Sequence, residues 1–318
     1  MSRHPRRRRF DDEFDEFDDF VDVDEFAEFD KFTEFDKATV PAVRPDPTDQ
    51  THLTDHGGDP PDEPIWSNYH EPGVLHGPQP VPAWVITSPG AVDTDLGVLK
   101  SGKEADVSLL VRCDGDRVNR LAVKRYRTAE HRMFHRDATY LEGRRERKSR
   151  ERRAMATRTG FGRELIAGRW AQAEFQVLAR LWSVGASVPY PVQLAGTALM
   201  MEFVGDDDGV AAPRLAQLRP DPDEAADWYA QLRTVLVRLA EAGFAHGDLS
   251  PYNVLVHRGR VVVIDVPQAV DLVGNPLAED FVRRDCENAV AWFRARGVDV
   301  RAVELADELL SIGRGAVP

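Results

Sequence analysis

His246-Gly-Asp-Leu-Ser-Pro-Tyr-Asn253 is the stretch on which the reading turns. It follows an amphipathic run over residues 223–242 that closes in Ala-Gly, and it leads straight into the apolar Val254-Leu-Val256. That order predicts a loop between a helix and a strand. Four intervening residues let Asp248 and Asn253 face one cleft, the carboxylate towards a hydroxyl or water and the amide towards a cation. Twelve residues beyond Asn253, the run Val261-Val-Val-Ile264 ends in Asp265. A second hairpin is expected here, Val254–Val256 against Val261–Val266, with Asp265 closing a buried strand. A carboxylate next to an amide carbonyl is a hard-oxygen site suited to Mg²⁺ bridging phosphates.

Together these residues point to phosphoryl transfer, with Asp248 taking the nucleophile's proton and Asn253 and Asp265 holding metal. Turn-capping would account for Asp248 or Asn253 singly. It does not account for the octapeptide joined to an Ile-Asp hairpin.

Upstream elements extend the scheme. Lys124 lies in Arg120-Leu-Ala-Val-Lys-Arg-Tyr126, and a lysine among apolar neighbours needs an anionic partner. Glu174, on a helical run carrying Trp170, Phe175, Leu178 and Leu181 that ends near Gly185, is the candidate partner. It would turn Lys124 towards the α/β-phosphates, although Glu164 lies nearby. Lys100-Ser-Gly-Lys-Glu-Ala-Asp-Val107 precedes the strand-like Val107–Val111 and holds a single glycine. Ser101, Gly102 and Lys103 could cradle phosphate oxygens there, or form an exposed polar turn.

The charge map separates the chain into parts. Of its 318 residues, 1–40 hold 14 acids against 7 Lys/Arg, and 41–80 hold 7 acids against Arg44. The remaining 33 acids meet 33 bases, so the net charge of −13 resides in the first eighty residues. Phe10, Phe14, Phe17, Phe20, Phe26, Phe29, Phe32 and Phe35 punctuate the acidic run, which reads as a disordered tail over 1–40. Residues 41–83, rich in Pro, Gly, Asp and Thr, read as a linker, and the folded domain is expected over 84–318.

Cys113 and Cys286 are too few for a disulfide framework and suit a reducing, cytoplasmic setting. The basic leader is followed by acids rather than an apolar segment, and no apolar run would span a bilayer. Neither export nor membrane contact is expected.

Ser-Gly-Lys-Glu-Ala-Asp-Val, Met-Glu-Phe-Val-Gly, His-Gly-Asp-Leu-Ser-Pro-Tyr-Asn-Val-Leu and Ile-Asp-Val-Pro-Gln-Ala-Val together resemble the RIO family of atypical serine/threonine kinases, over about residues 95–295. The resemblance implies an α+β, two-lobed kinase-like fold. It has a small β-rich lobe near 84–204 and a reduced helical lobe near 205–318, without an activation segment. It further implies ATP and Mg²⁺ as cofactors. Ser101, Lys103 and Lys124 would lie on phosphates, and the backbones of Glu202 and Val204 on adenine. Asp265 would have a second role as aspartyl-phosphate acceptor. Pro267 stands where the family commonly has Ser. The phosphoacceptor would be a protein or the chain itself.

Two other readings stand beside this one. A small-molecule phosphotransferase of the aminoglycoside or choline kinase type also uses a His-Gly-Asp loop, but needs a larger acceptor lobe after Asp265. An ATP-gated switch on ribosomal RNA or a protein would use the basic Arg144-Arg-Glu-Arg-Lys-Ser-Arg-Glu-Arg-Arg153 for phosphate or ribosome contact, a run that also reads as a solvated basic loop.

Overall fold

The computed structural model describes residues 64–102, 104–127 and 160–315, the last with side chains from residue 165 onward. The tail at 1–40, the basic run at 144–153 and Lys103 lie outside the described residues.

The first lobe is an antiparallel sheet of β1 (Leu75–His76), β2 (Val92–Ser101), β3 (Ala105–Asp114), β4 (Arg117–Tyr126), β5 (Pro191–Ala195) and β6 (Ala198–Glu202). Their spatial order is β1-β5-β6-β4-β3-β2. β3 and β4 form a hairpin in unbroken register from Ala105↔Tyr126 to Asp114↔Arg117. The β5–β6 pair closes around Gly196.

Strand alternation gives the sheet two distinct faces. One carries Leu110, Leu121, Val123, Val192 and Met200 and packs on Tyr69, Val85 and Tyr190. The other carries Ala105, Tyr126, Leu194 and Leu199 and joins the main core.

The linker expected up to residue 83 gives way to folded chain in its described part. Residues 64–83 cover the first face: β1 pairs with β5 through Leu75↔Leu194, and the Tyr190 hydroxyl donates to Pro78 O at 3.0 Å. Gly77 N–H donates to Val192 O at 3.2 Å, and a Cβ on Gly77 would fall 2.0 Å from Pro191 O, so only glycine fits that approach. Beneath this cover Arg112 is fully buried, its guanidinium clamped on both Asp93 oxygens at 2.7 and 2.8 Å and on Gln193 Oε1 at 2.9 Å. Buried charge survives only with such pairing. The segment therefore folds as a covering strap without periodicity of its own.

Helix α1 (Gly160–Ser183) lies on the second face. Its inward stripe is Ala167, Ala171, Glu174, Phe175, Leu178 and Leu181, while Trp170 is only half-buried. A carboxylate thus occupies a core position of the helix.

The second lobe is built on α2 (Pro222–Glu241), α3 (Ala278–Arg294) and α4 (Ala302–Gly315). Asp221 starts α2 by accepting from Asp223 N–H at 3.0 Å and Glu224 N–H at 2.9 Å, with Pro222 set for the first turn. Leu232, Val235, Leu236 and Leu239 bury one face of it. Two small ladders complete the lobe: β7 (Phe244–Ala245) with β10 (Val270–Asp271), and β8 (Val254–His257) with β9 (Arg260–Val263).

Here the expected strand is too long. β9 stops at Val263, and Asp265 sits beyond it at φ +64°, a left-handed conformation that leaves the ladder. The two-lobed α+β architecture is otherwise as expected. No helix among the described residues is long and apolar enough to cross a membrane.

Candidate active site

Three elements far apart in sequence converge on Lys124. From β4, its Nζ donates to Glu174 Oε1 on α1 at 2.9 Å and to Asp265 Oδ1 at 2.7 Å. The lysine side chain is 12% exposed and that of Glu174 2%, whereas Asp265 retains 37%. This pairing gives the buried lysine the anionic partners it requires.

The remaining Glu174 oxygen accepts from the Tyr126 hydroxyl, a contact that the strand sequence did not announce. Burial pushes Glu174 upward, against the pull of Lys124. Burial likewise pushes Asp265 up, but Lys124, with smaller help from Lys100 and His246, more than offsets it and holds this carboxyl below the usual range. Lys124 itself is drawn down by burial and raised overall by its two carboxylates. Asp265 is therefore an ionised, partly open carboxylate at pH 7. Its left-handed backbone stores strain of about 1–3 kcal/mol, a cost common at functional sites.

The 246–253 loop is held at several points. Asp285, buried on α3, accepts from Gly247 N–H at 2.7 Å and Leu249 N–H at 2.9 Å. Arg284 donates to Gly247 O at 2.5 Å and Asn288 to Leu249 O at 3.2 Å. His246 Nε2 meets Ile264 O at 3.1 Å, and its Nδ1 accepts from Asp248 N–H at 3.4 Å. Those two bonds require the tautomer with the proton on Nε2. The imidazole thereby ties the backbone of Asp248 to the residue preceding Asp265.

Gly247 lies at φ +82°, and a Cβ there would sit 2.2 Å from Gln268 O. Close approach of the two backbones depends on that missing carbon.

Asn253 closes the short helical turn Pro251–Asn253 and is buried. Its Nδ2 donates to Asp248 O at 2.8 Å, which directs the amide oxygen the other way. The Asn253 amide oxygen and the open part of the Asp265 carboxylate would together offer two oxygens. Among the described residues no group of three or more His, Cys, Asp or Glu could hold a metal unaided. A two-oxygen set fits Mg²⁺, which takes one or two protein ligands and completes its shell with phosphate and water.

The other expected residues make contacts of their own. Ser101 donates to Asp106 Oδ1 at 2.5 Å and accepts from Arg127 at 2.6 Å, and Gly102 N–H donates to Ala105 O at 2.9 Å. Those donors are engaged within the β2–β3 turn. Glu202 ends β6, with its N–H on Tyr190 O at 2.9 Å and its carboxylate accepting from Tyr190 N–H at 3.1 Å. Val204 follows in the connection between lobes, its carbonyl taken by Ala212 N–H at 2.9 Å.

Residues 110–306 match the RIO domain. The chain belongs to the RIO family. It is 37% identical over 215 residues to the RIO-type serine/threonine-protein kinase Rio1 of Haloferax volcanii, covering 67% of this chain and 68% of that protein. It is 36% identical over 219 residues to the serine/threonine-protein kinase RIO1 of Caenorhabditis elegans, covering 67% of this chain but 40% of the longer nematode protein. Among solved structures, the Rio2 kinase–ADP/Mg²⁺–phosphoaspartate complex from Chaetomium thermophilum overlays with a TM-score of 0.46 at 21% identity, over 68% of this chain and 69% of that one.

Two contributors to the site escaped the motifs. Asp285 and Tyr126 carry no recognisable spacing to the octapeptide. The available signal for Asp285 was a lone carboxylate in the apolar stripe Ala278, Val282, Cys286, Ala289 and Phe293.

Proposed function

We propose that this RIO-family chain catalyses ATP- and Mg²⁺-dependent phosphoryl transfer to a serine or threonine hydroxyl, on a protein substrate or on itself. The observation that carries the reading is the convergence of Glu174, Lys124 and Asp265, 2.9 and 2.7 Å apart, beside a loop that fixes Asp248 and Asn253.

Lys124 is held by Glu174 in place to bind the α/β-phosphates. Asp248 accepts the hydroxyl proton as the acceptor oxygen bonds to the γ-phosphorus and the bond to the β-phosphate oxygen breaks, releasing ADP. Asn253 and Asp265 would hold Mg²⁺, which neutralises phosphate charge when bound. The backbone at Glu202 and Val204 would receive adenine.

A second branch rests on Asp265, ionised and 37% exposed. Its oxygen attacks the γ-phosphorus, ADP leaves, and water later cleaves the acyl phosphate. The same experiment separates the branches. The chain is incubated with γ-labelled ATP and Mg²⁺, alongside Asp248→Ala and Asp265→Asn. Acid-stable label absent from Asp248→Ala supports hydroxyl phosphorylation, and label released by hydroxylamine and absent from Asp265→Asn supports the aspartyl phosphate. Absence of any turnover contradicts both.

A further inference from the structure

Lys124 and Tyr126 are two residues apart on β4, so both side chains leave the sheet on the face that carries α1. Glu174 meets them there with both of its oxygens. Lys124 Nζ donates to Oε1 at 2.9 Å, and the Tyr126 hydroxyl donates to Oε2. Among the described residues these are the two donors that Glu174 has, and the carboxylate is buried. Loss of either leaves an oxygen that water does not reach.

Tyr126 is itself fixed before it reaches the carboxylate. It is buried, its N–H donates to Thr197 O at 3.1 Å, and it lies opposite Ala105 in the register of β3 and β4. Burial, followed by the charge of Glu174, pushes its phenol far above the ordinary range, so the hydroxyl keeps the proton that it donates.

Lys124 is shared, with Glu174 on one side and the partly open Asp265 on the other at 2.7 Å. Which carboxylate the ammonium follows depends on how firmly each is held. A Glu174 side chain pinned at Oε1 alone is free to turn about its terminal bond, and its other oxygen is a buried acceptor without a donor. In that state Asp265 wins the ammonium. The Tyr126 bond prevents the rotation.

We infer that Tyr126 is a positioning residue: its hydroxyl fixes Glu174, and Glu174 in turn keeps Lys124 from being drawn wholly to Asp265. The assignment deepens the phosphoryl-transfer reading and rests on it for the phosphates that Lys124 meets. Tyr126 acts through two side chains of the site and touches no reacting atom.

Tyr126→Phe keeps the ring and removes the donor. In the full chain with ATP and Mg²⁺ it should lower kcat about ten- to a hundredfold, the range for a hydrogen bond to a charged group. KM for ATP should stay within about threefold, because Lys124 is misplaced rather than lost. Added to Glu174→Gln, the same change should cost no more than about a further twofold, since no carboxylate on α1 remains to be fixed. The double variant carries no stranded carboxylate, so its comparison with Glu174→Gln stands even where Tyr126→Phe alone unfolds. Without nucleotide, acetic anhydride labelling read by mass spectrometry should modify Lys124 faster in Tyr126→Phe than in wild type, and about as fast as in Glu174→Gln. An ammonium that loses an anionic neighbour gives up its proton more readily.

Wild-type kcat in Tyr126→Phe, losses that multiply in the double variant, or an unchanged labelling rate at Lys124 would each overturn the role. Faster labelling of Lys124 in Tyr126→Phe, in a chain that never turns over ATP, keeps the link from Tyr126 to Lys124 and overturns the phosphoryl-transfer reading.

Discussion

Lys124 Nζ reaches Asp265 Oδ1 at 2.7 Å across 141 residues of sequence, while the same ammonium holds Glu174 Oε1 at 2.9 Å. One cation therefore joins the sheet, helix α1 and the segment after β9. Replacing it with methionine strands two carboxylates, one of them buried. Lys124→Met should lose roughly 3–5 kcal/mol of stability at neutral pH, as when one partner of a buried pair is removed.

The loss should depend on pH, and its sign follows from Glu174. Burial holds this carboxyl above its unfolded value even with Lys124 present, and removing the cation raises it further. A group raised in the folded state stabilises it below the unfolded pKa, and that stabilisation disappears as pH rises through the folded pKa. The deficit of Lys124→Met should therefore be smaller at pH 5 than at pH 8. Urea unfolding at the two values checks this, and equal deficits would count against an uncompensated Glu174.

Asp285 acts through the loop rather than on the substrate. Its two bonds to Gly247 and Leu249 fix the backbone on either side of Asp248. Asp285→Asn retains one acceptor and turns a donor towards an amide N–H. It should cost about 1–3 kcal/mol of stability and lower kcat about ten- to a hundredfold, with KM for ATP within about twofold. A rise in KM at constant kcat would place Asp285 in nucleotide binding instead.

Gly247 and Gly259 offer a matched pair. Both have positive φ, +82° and +76°, but a Cβ at Gly259 meets open space whereas one at Gly247 strikes Gln268 O. Gly259→Ala should cost about 1 kcal/mol, the strain of the left-handed backbone alone. Gly247→Ala should cost well beyond that and abolish turnover. Comparable unfolding midpoints for the two variants would refute the close approach.

Cys286 is fully buried on α3, and burial, with Asp285 and Glu287 adding to it, pushes its thiol up to about 12. It should resist iodoacetamide at pH 8 in the native chain and react once unfolded. Mass spectrometry of both samples reads the difference, and rapid native labelling at Cys286 would place it outside the core.

Much of the site is legible because its chemistry is local. Asp248 and Asn253 share a loop, Asp265 follows an apolar run, and Lys124 interrupts another. Glu174 and Asp285 show where legibility ends. Each is a carboxylate in the inward stripe of a helix, yet Glu174 is found through its expected place after Lys124, while Asp285 lacks such an order. The end of β9 at Val263 is hidden because valines and Ile264 continue the apolar pattern past the point where Asp265 turns left-handed. The strap at 64–83 is hidden for the opposite reason. It is held by single contacts such as Tyr190 hydroxyl to Pro78 O, which leave no period to read.

Phosphoryl transfer is tested by the release of ADP from ATP by the full chain with Mg²⁺, after EDTA, and in Asp248→Ala and Asn253→Ala. ADP should be released with Mg²⁺, and its release should fall about a hundredfold or more with EDTA or in either variant. Release that persists in EDTA, or equals wild type in Asp248→Ala, would contradict it.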